Sequence, residues 1–180
     1  MALCWSRLVA DVAAGTCEAG ELSDEERAMF RAKPDPVRAR VLERVGPRAP
    51  HELWPSLSLV SCWGDAGAAA PMERLRARIK PVLLQPKGLL ATEGVVSLPL
   101  GESHPLAVTS HFLEFLDADG RLAHAWELRG GEEYEVLLTT GGGLYRYRLG
   151  DRVVVTDFVD RTPSIRLIGR SDGVVDLVGE

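Results

Sequence analysis

This 180-residue sequence is poor in the residues that mark disulfide-rich or zinc-binding proteins. Cysteine occurs three times, at Cys4, Cys17 and Cys62, with no C-x-x-C pair and no histidine at the spacing of a metal site. The pattern therefore predicts neither a disulfide framework nor a zinc centre. Unpaired thiols favour a reducing compartment, so we expect a cytoplasmic protein.

Long apolar runs and basic clusters are also missing. No run approaches the roughly 18 to 20 apolar residues that a membrane span needs, so we expect a soluble protein without a membrane partner. The apolar start is broken by Arg7 and Asp11, which favours an amphipathic helix over a signal peptide. Lys and Arg total 21 against 26 Asp and Glu, a net charge of −5, and no basic face predicts nucleic-acid binding.

The sequence instead has an ordinary globular composition, 46% hydrophobic and 26% charged, and its first quarter has helical patterning. Apolar spacing predicts a first helix over 2–14. A second is predicted to begin after Ser23, within a capping box, and to end at Pro34. A third is predicted to begin at Pro36 and to end before Gly46.

After the helices, the pattern changes twice. The runs "LSLVSCW", "PMERLRARI" and "VLLQP" predict a strand-helix-strand unit whose parallel strands are covered on both faces. Ligands usually bind beyond the carboxyl ends of such strands, where "GDAG" and "LLATEG" lie. From Val95 onward, short strand patterns predict an antiparallel barrel or strongly bent sheet, from "VVSLPL" to "GVVDLVGE", with a hairpin at "DADG".

The predicted fold class is therefore α/β, with a parallel strand-helix-strand unit followed by an antiparallel barrel-like sheet. Helices occupy 1–50, the strand-helix-strand unit 51–100 and antiparallel strands 101–180. We interpret these three parts as layers of one domain.

The stretch "TTGGGLYRYRLGD" offers two interpretations of its glycines. A phosphate-binding P-loop needs Lys-Ser/Thr and a following helix, which are absent, so a hairpin bend is favoured. Strand alternation would place Arg146 and Arg148 on one face, where they could be solvated or could meet phosphates; solvation is favoured. Tyr145 and Tyr147 would share the opposite face.

Two further positions have functional and structural interpretations. Asp151 follows Gly150 at a predicted strand end, where its carboxylate could accept hydrogen bonds from ribose hydroxyls, although Gly-Asp also begins many turns. Thr92 and Glu93 could contact a phosphate oxygen and Mg²⁺, or could simply be exposed loop residues.

The order of these signals is more specific than any one of them. "GDAGAAAPMERL", "KGLLATEG", "YRYRLGD" and "IGRSDGVVDLVGE" follow one another as in the adenylate-forming superfamily. They resemble most closely the auxin-responsive Gretchen Hagen family of acyl-acid amido synthetases, in a bacterial-type member. The resemblance covers nearly the whole chain and implies part of the large domain of such an enzyme.

The resemblance implies a two-step ligase. ATP and a carboxylic acid would give an acyl-adenylate and pyrophosphate, and an amino acid would then form the amide and release AMP. Cofactors would be ATP and Mg²⁺, and partners a small-molecule carboxylic acid and an amino acid. The implied catalytic positions are Thr92, at the α-phosphate, and Glu93, which would also be the Mg²⁺ ligand. Ala91 and Gly94 beside them, Asp151 at the ribose and Arg170 would bind the nucleotide. Asp172 would lie near a hinge.

The sequence departs from the family in three places. Leu89 stands where relatives often have a tyrosine beside adenine. The serine/threonine-rich phosphate loop is not found, and the sequence ends at Glu180, where relatives continue with a lysine and a C-terminal domain. We therefore expect an internal fragment that releases little pyrophosphate alone. Alternatives are a non-catalytic nucleotide-binding or interaction module, or another adenylate-forming enzyme such as a coenzyme A ligase.

Overall fold

A computed structural model of the chain describes residues 2–18, 22–47, 50–79 and 82–171. The chain divides into two compact units. The first, called the helical unit, comprises Met1–Ser58 and Leu75–Leu83. The second, the sheet unit, comprises Leu59–Arg74 and Leu84–Glu180.

The helical unit begins with three α-helices: α1 over Ala2–Ala14, α2 over Asp24–Met29 and α3 over Pro36–Val45. The first and third confirm the sequence prediction. Ser23 caps α2 through a capping box with Glu26, also as predicted. However, α2 ends at Met29 and not at Pro34. The chain leaves the helix early because its backbone bonds to the end of α1: Ala32 N–H donates to Gly15 O, at 3.1 Å.

Backbone contacts fasten the helical unit more than a core does. Trp5 of α1 donates its indole Nε1–H to the carbonyl oxygen of Leu42 in α3, at 3.1 Å. Gly15 lies at φ 71°, and a Cβ there would stand 2.3 Å from Ala32 O, so only glycine fits. The few buried apolar residues described in this unit are Ala39, Leu42, Leu53 and Ile79.

The strand-helix-strand prediction is confirmed by β1 (Leu59–Cys62), α4 (Ala69–Arg78) and β2 (Leu83–Pro86). Leu83 N–H donates to Ser58 O and Lys87 N–H to Cys62 O, equal steps along both strands, so the pair is parallel. The prediction that both faces are covered is wrong for the described chain. Leu59 of β1 is 44% exposed, because β1 and β2 form a sheet of only two strands.

An antiparallel sheet of five strands forms most of the sheet unit, with the order β4-β3-β5-β6-β7. Its strands are β3 (Phe112–Leu116), β4 (Leu122–His124), β5 (Glu133–Thr139), β6 (Tyr147–Val159) and β7 (Thr162–Arg170). The predicted "DADG" hairpin joins β3 to β4 with Gly120 at φ 75°. The strands predicted separately as "LYRYRLGD" and "RVVVTDFV" are one continuous strand, β6.

Residues 95–100, predicted as a strand, form only isolated bridges. Ser97 bridges Leu106, and Pro105 bridges Ser164 of β7. Prolines at 99 and 105 lack the N–H that a continuous ladder requires, so pairing is limited to single bridges. These bridges extend the antiparallel pairing beyond β7, and the mixed α/β fold class is confirmed.

One apolar cluster underlies the sheet unit. Its buried members come from the segment before the sheet, from β3, β5, β6 and β7, and from the connection between β4 and β5: Leu89, Val96, Leu106, Leu113, Phe115, Leu128, Tyr134, Val136, Leu138, Leu149, Val153, Val155 and Ile165. Among the described residues, no helix is both long and apolar enough to span a membrane. The last predicted strand, 173–180, lies outside the described residues.

Candidate functional site

The segment "LLATEGVV" forms a tight turn at the edge of the apolar cluster. Ala91 N–H donates to Gly94 O at 3.1 Å, and Leu90 bridges Val95 on either side of the turn. Thr92 is exposed and Glu93 is half-buried at its tip. All four predicted residues of this segment, 91–94, therefore belong to one turn that presents a hydroxyl and a carboxylate together.

Gly94 lies directly against two side chains of the sheet unit. A Cβ at Gly94 would stand 2.7 Å from Nε2 of His111 and 3.0 Å from Cδ2 of Leu138. The first distance is too short for a methyl group, so a side chain at Gly94 would force the imidazole to move away from the turn. No pattern in the sequence signals this contact of His111 with Gly94.

Asp151 lies inside β6 and not at a strand end, which corrects the sequence prediction. The β5–β6 register leaves one β5 residue, Val136, opposite the three β6 residues Leu149–Asp151. This is a β-bulge, and Gly150 in it adopts φ 79°, a conformation that favours glycine. The bulge changes the direction of the strand at Asp151 while pairing continues on both sides.

The Asp151 carboxylate is held close to Arg170. Asp151 pairs with Arg170 across β6 and β7, and Arg170 Nη1 lies 3.4 Å from Asp151 Oδ1. The Asp151 side chain is 11% exposed and that of Arg170 42%. A Cβ at Gly150 would stand 3.1 Å from Nη2 of Arg170, so the bulge glycine also makes room for the guanidinium. Asp172 lies outside the described residues.

Arg146 and Arg148 are paired with carboxylates and not simply solvated. Arg146 donates two hydrogen bonds to Glu114, at 2.7 and 3.0 Å, and Arg148 two to Glu135, at 2.6 and 2.8 Å. Both pairs are bidentate, the stronger form of an arginine–carboxylate contact. The hydrogen bonds that each guanidinium donates to its carboxylate raise the pKa of that guanidinium. Arg148 fastens β6 to β5, and Arg146, directly before β6, is fastened to β3, so the interpretation as phosphate ligands is not needed to explain them.

The glycine triplet is a hairpin bend, as predicted. Thr140 N–H donates to Leu144 O at 2.9 Å, and Gly143 N–H to Thr140 O at 3.2 Å. The predicted strand alternation fails at Arg146, which adopts φ 46° before β6 begins at Tyr147. Arg146 N–H donates to Thr139 Oγ1 at 3.0 Å, which holds this conformation in place.

The contacts of the described residues join the predicted positions into two groups. One is the turn 91–94, and the other is Asp151 with Arg170. Within 82–171, no described hydrogen bond or ion pair joins one group to the other. The same part of the chain has no cluster of three or more His, Cys, Asp or Glu side chains suited to hold a metal ion.

Comparison with known proteins gives matches over most of the chain. The model of the GH3 family central domain matches residues 104–170. A probable indole-3-acetic acid-amido synthetase, GH3.6, of Oryza sativa subsp. japonica is 30% identical over 203 residues, which cover 93% of this chain and 40% of that protein. JAR6 of Nicotiana attenuata, a jasmonoyl-L-amino acid synthetase, is 52% identical over 46 residues, 26% of this chain and 8% of that protein.

Solved structures match over the same extent. GH3.15 acyl acid amido synthetase superposes with a TM-score of 0.71 at 21% identity, over 93% of this chain and 33% of that one. The chain has the fold of the GH3 acyl-acid amido synthetases. A complex of AtGH3.15 with 2,4-DB gives a TM-score of 0.70 at 22% identity, over 93% of this chain and 32% of that one.

These matches support a relationship of this chain to the GH3 family, which is the Gretchen Hagen family that the motifs resemble. The chain spans about 40% of the length of the Oryza sativa relative. Both this relative and JAR6 of Nicotiana attenuata are plant proteins. The expected bacterial type, like the expected internal fragment, therefore stays a prediction.

Proposed function

We propose that this chain supplies the ribose- and phosphate-contacting part of a cytoplasmic, ATP-dependent acyl-acid amido synthetase. Asp151 carries the proposal. Its carboxylate is 11% exposed, lies at a β-bulge and is close to a guanidinium. β-Bulges are frequent beside active sites because they redirect a side chain without ending the strand. The ordered motifs and the names of the relatives support the reaction class.

At this position the Asp151 carboxylate could accept two hydrogen bonds, one from each ribose hydroxyl. Hydrogen bonds to a charged group contribute about 1.5–3 kcal/mol each. The nearby guanidinium of Arg170 orients the Asp151 carboxylate before ligand arrives, which lowers the cost of ordering it. Arg170 would also present its own guanidinium, 42% exposed, to the nucleotide.

The turn 91–94 would bind the phosphates of the nucleotide. Thr92 would donate its hydroxyl to an α-phosphate oxygen, and the Glu93 carboxylate would be a Mg²⁺ ligand. A lone carboxylate fits Mg²⁺, which in nucleotide sites is bound by one or two carboxylates together with substrate phosphate oxygens and waters. When bound, Mg²⁺ would neutralise charge on the phosphates.

The reaction that these residues would serve has two displacements. The oxygen of a carboxylic acid attacks the α-phosphorus of ATP, and the bond to pyrophosphate breaks. An amino-acid amine then attacks the acyl carbon, forms the amide and releases AMP. The protein residues orient the ribose and the α-phosphate for the first step, which is catalysis by positioning and electrostatics.

Calorimetric titration of the chain with MgATP and with AMP tests the proposal. Asp151→Asn keeps the shape of the side chain and removes its charge, so both ligands should bind about tenfold more weakly or worse. Asp160→Asn, an exposed aspartate at φ 53° between β6 and β7, is the matched control and should bind as the wild type does. Equal affinity of wild type and Asp151→Asn, or no binding by the wild type, would refute nucleotide binding through Asp151.

The reaction class needs a separate measurement, on the full-length protein that carries this sequence. Incubation with ATP, Mg²⁺, candidate acids and amino acids should give acid–amino-acid conjugates, detected by mass spectrometry. Thioesters formed with added coenzyme A, without amide conjugates, would favour a coenzyme A ligase. Nucleotide binding without any product would favour a non-catalytic module.

A further inference from the structure

Gly94 is a glycine for a steric reason and not for a conformational one. Many glycines of the sheet unit have positive φ, but Gly94 is not among them. Its backbone is open to any residue, yet a Cβ there would lie 2.7 Å from His111 Nε2 and 2.9 Å from His111 Cδ2. A side chain at this position would displace the imidazole and press on Leu138 Cδ2, which lies 3.0 Å from the Cβ position, so close contact and not backbone conformation disfavours one.

The surface that meets Gly94 is built from two paired strands. His111 directly precedes Phe112, the first residue of β3, and Leu138 belongs to β5. Leu113 of β3 pairs with Leu138, and both are buried in the apolar cluster. His111 is itself half-buried. The imidazole and the Leu138 side chain thus form a wall that the core of the sheet unit holds in place.

The turn is also restrained at its base, because Ala91 packs against the apolar cluster. Ala91 N–H to Gly94 O closes it, and the Leu90–Val95 bridge fixes its base. These contacts set the shape of the turn and hold its Ala91 side against the cluster, and the contact of Gly94 with the wall limits the distance of its other side from the sheet. Thr92 and Glu93 are the two residues that this distance places.

We infer that His111 is a positioning residue. Its ring packs against Gly94 and fixes where the turn presents Thr92 and Glu93. The inference rests on the proposed function, since it concerns the residues assigned to the phosphates and Mg²⁺. It gives His111 a steric task and no part in proton transfer.

The inference predicts different effects on binding of the phosphates and on binding of the ribose. Displacement of the turn would weaken contacts with the phosphates but leave the ribose contacts of Asp151 intact, because Asp151 is held in β6 by a separate set of pairings. MgATP, which carries phosphates, and adenosine, which does not, therefore distinguish a displaced turn from a generally damaged protein.

The experiment compares His111→Ala, Gly94→Ala and the double variant. Each single change should weaken MgATP binding about tenfold, because small misplacements of a positioned group are costly. Adenosine affinity should change less than about twofold. The double variant should bind MgATP more tightly than Gly94→Ala alone, since the new methyl group then fills space that the ring has left. Gly141→Ala is the matched control: Gly141 lacks positive φ and has nothing within 4 Å of a Cβ.

Hydrogen exchange of the Ala91 amide, measured without nucleotide, gives a second readout. Exchange should be about tenfold faster in each single variant and unchanged in Gly141→Ala, because the turn loses its support against the sheet. Unchanged Ala91 exchange in both single variants, or strictly additive effects in the double variant, would overturn the positioning role. If the exchange results hold while the wild type binds no nucleotide, the proposed function fails and the packing role stands.

Discussion

The helical unit and the sheet unit differ in how their backbones are held. Thirteen buried apolar residues form one cluster in the sheet unit. The described part of the helical unit buries Ala39, Leu42, Leu53 and Ile79, while Met29 is 81% and Phe30 59% exposed. A pocket of about 850 Å³, open to solvent, is lined by α1 and by the segment that includes Phe30. Caps and single hydrogen bonds fix the helices, whereas packing fixes the strands.

The difference shows why the candidate site belongs to the sheet unit. The turn 91–94 and Asp151 each depend on a close approach, Gly94 to His111 and Gly150 to Arg170. Close approaches keep their geometry only where the surrounding core resists displacement. The sheet unit has such a core, and functional groups on well-packed elements are placed more accurately than those on loosely packed ones.

The largest expected effect comes from removing the centre of the larger core. Phe115 is fully buried in β3, so Phe115→Ala should lower the free energy of unfolding by about 3–5 kcal/mol and abolish nucleotide binding. Leu42→Ala should cost about 2 kcal/mol, at the low end for a buried leucine, because a loosely packed site can collapse around the change. Urea unfolding followed by circular dichroism measures both.

Met29→Ala is the control for these core variants. Met29 is 81% exposed, so its loss should change stability by less than about 0.5 kcal/mol. An equal cost for Phe115→Ala and Leu42→Ala would contradict the contrast between the two units.

An intermediate effect distinguishes the two arginine pairs within the sheet unit. Arg146→Ala would leave the carboxylate of Glu114, 2% exposed, without its partner, and Arg148→Ala would leave that of Glu135, 12% exposed. Breaking the more buried pair should lower the melting temperature by several times as much, because an unpaired charge costs most where water is excluded. Differential scanning calorimetry gives the comparison.

The double variant Arg146→Met with Glu114→Leu tests the physical cause. Replacing both charges by apolar groups should recover most of the stability that Arg146→Ala loses, since the buried charge is then gone. A double variant as unstable as Arg146→Ala would mean that the guanidinium acts through something other than charge.

The smallest effect is a pH dependence at the surface of the sheet unit. Ser103 Oγ donates to Asp157 Oδ2 at 2.6 Å, and this hydrogen bond lowers the pKa of Asp157. A lowered folded pKa contributes stability above the ordinary value of about 4, and the contribution is lost as the pH falls through the folded value. Ser103→Ala should therefore lower the melting temperature slightly at pH 7 and not at the acid end.

Asp157→Asn provides the control, because it cannot titrate. In that background, Ser103→Ala should change the melting temperature equally at every pH. A pH-dependent difference that persists in Asp157→Asn would assign the effect to another group.

Local sequence signals predicted much of this molecule correctly. The capping box at Ser23, Pro36 at the start of α3 and Gly120 in the β3–β4 turn all act within a few residues, so they could be identified without the fold. Short strand patterns between turn signals likewise predicted most of the strands. The predicted end of α2 was wrong because the backbone after the helix bonds to residues near the end of α1, as Ala32 N–H does to Gly15 O, and this contact is not local in sequence.

For the candidate site, the sequence identified the residue types but not their positions in the strands or their contacts. It singled out Thr92, Glu93 and Asp151 as polar groups beside glycines, and their ligand roles stay predictions. It placed Asp151 at a strand end, because Gly-Asp is a common turn signal, whereas the structure continues β6 through a bulge. The pairs of Arg146 with Glu114 and of Gly94 with His111 join residues far apart in the chain, and no local pattern signals them.

The sequence by itself determined the elements of this protein, the caps that begin its helices and the hairpin bend at 141–143, because these depend on neighbouring residues. Only the tertiary structure decided that Asp151 is buried beside Arg170 and that a side chain at Gly94 would meet His111. Both follow from close approaches between strands and loops, and those distances are set by the packing of the whole sheet unit.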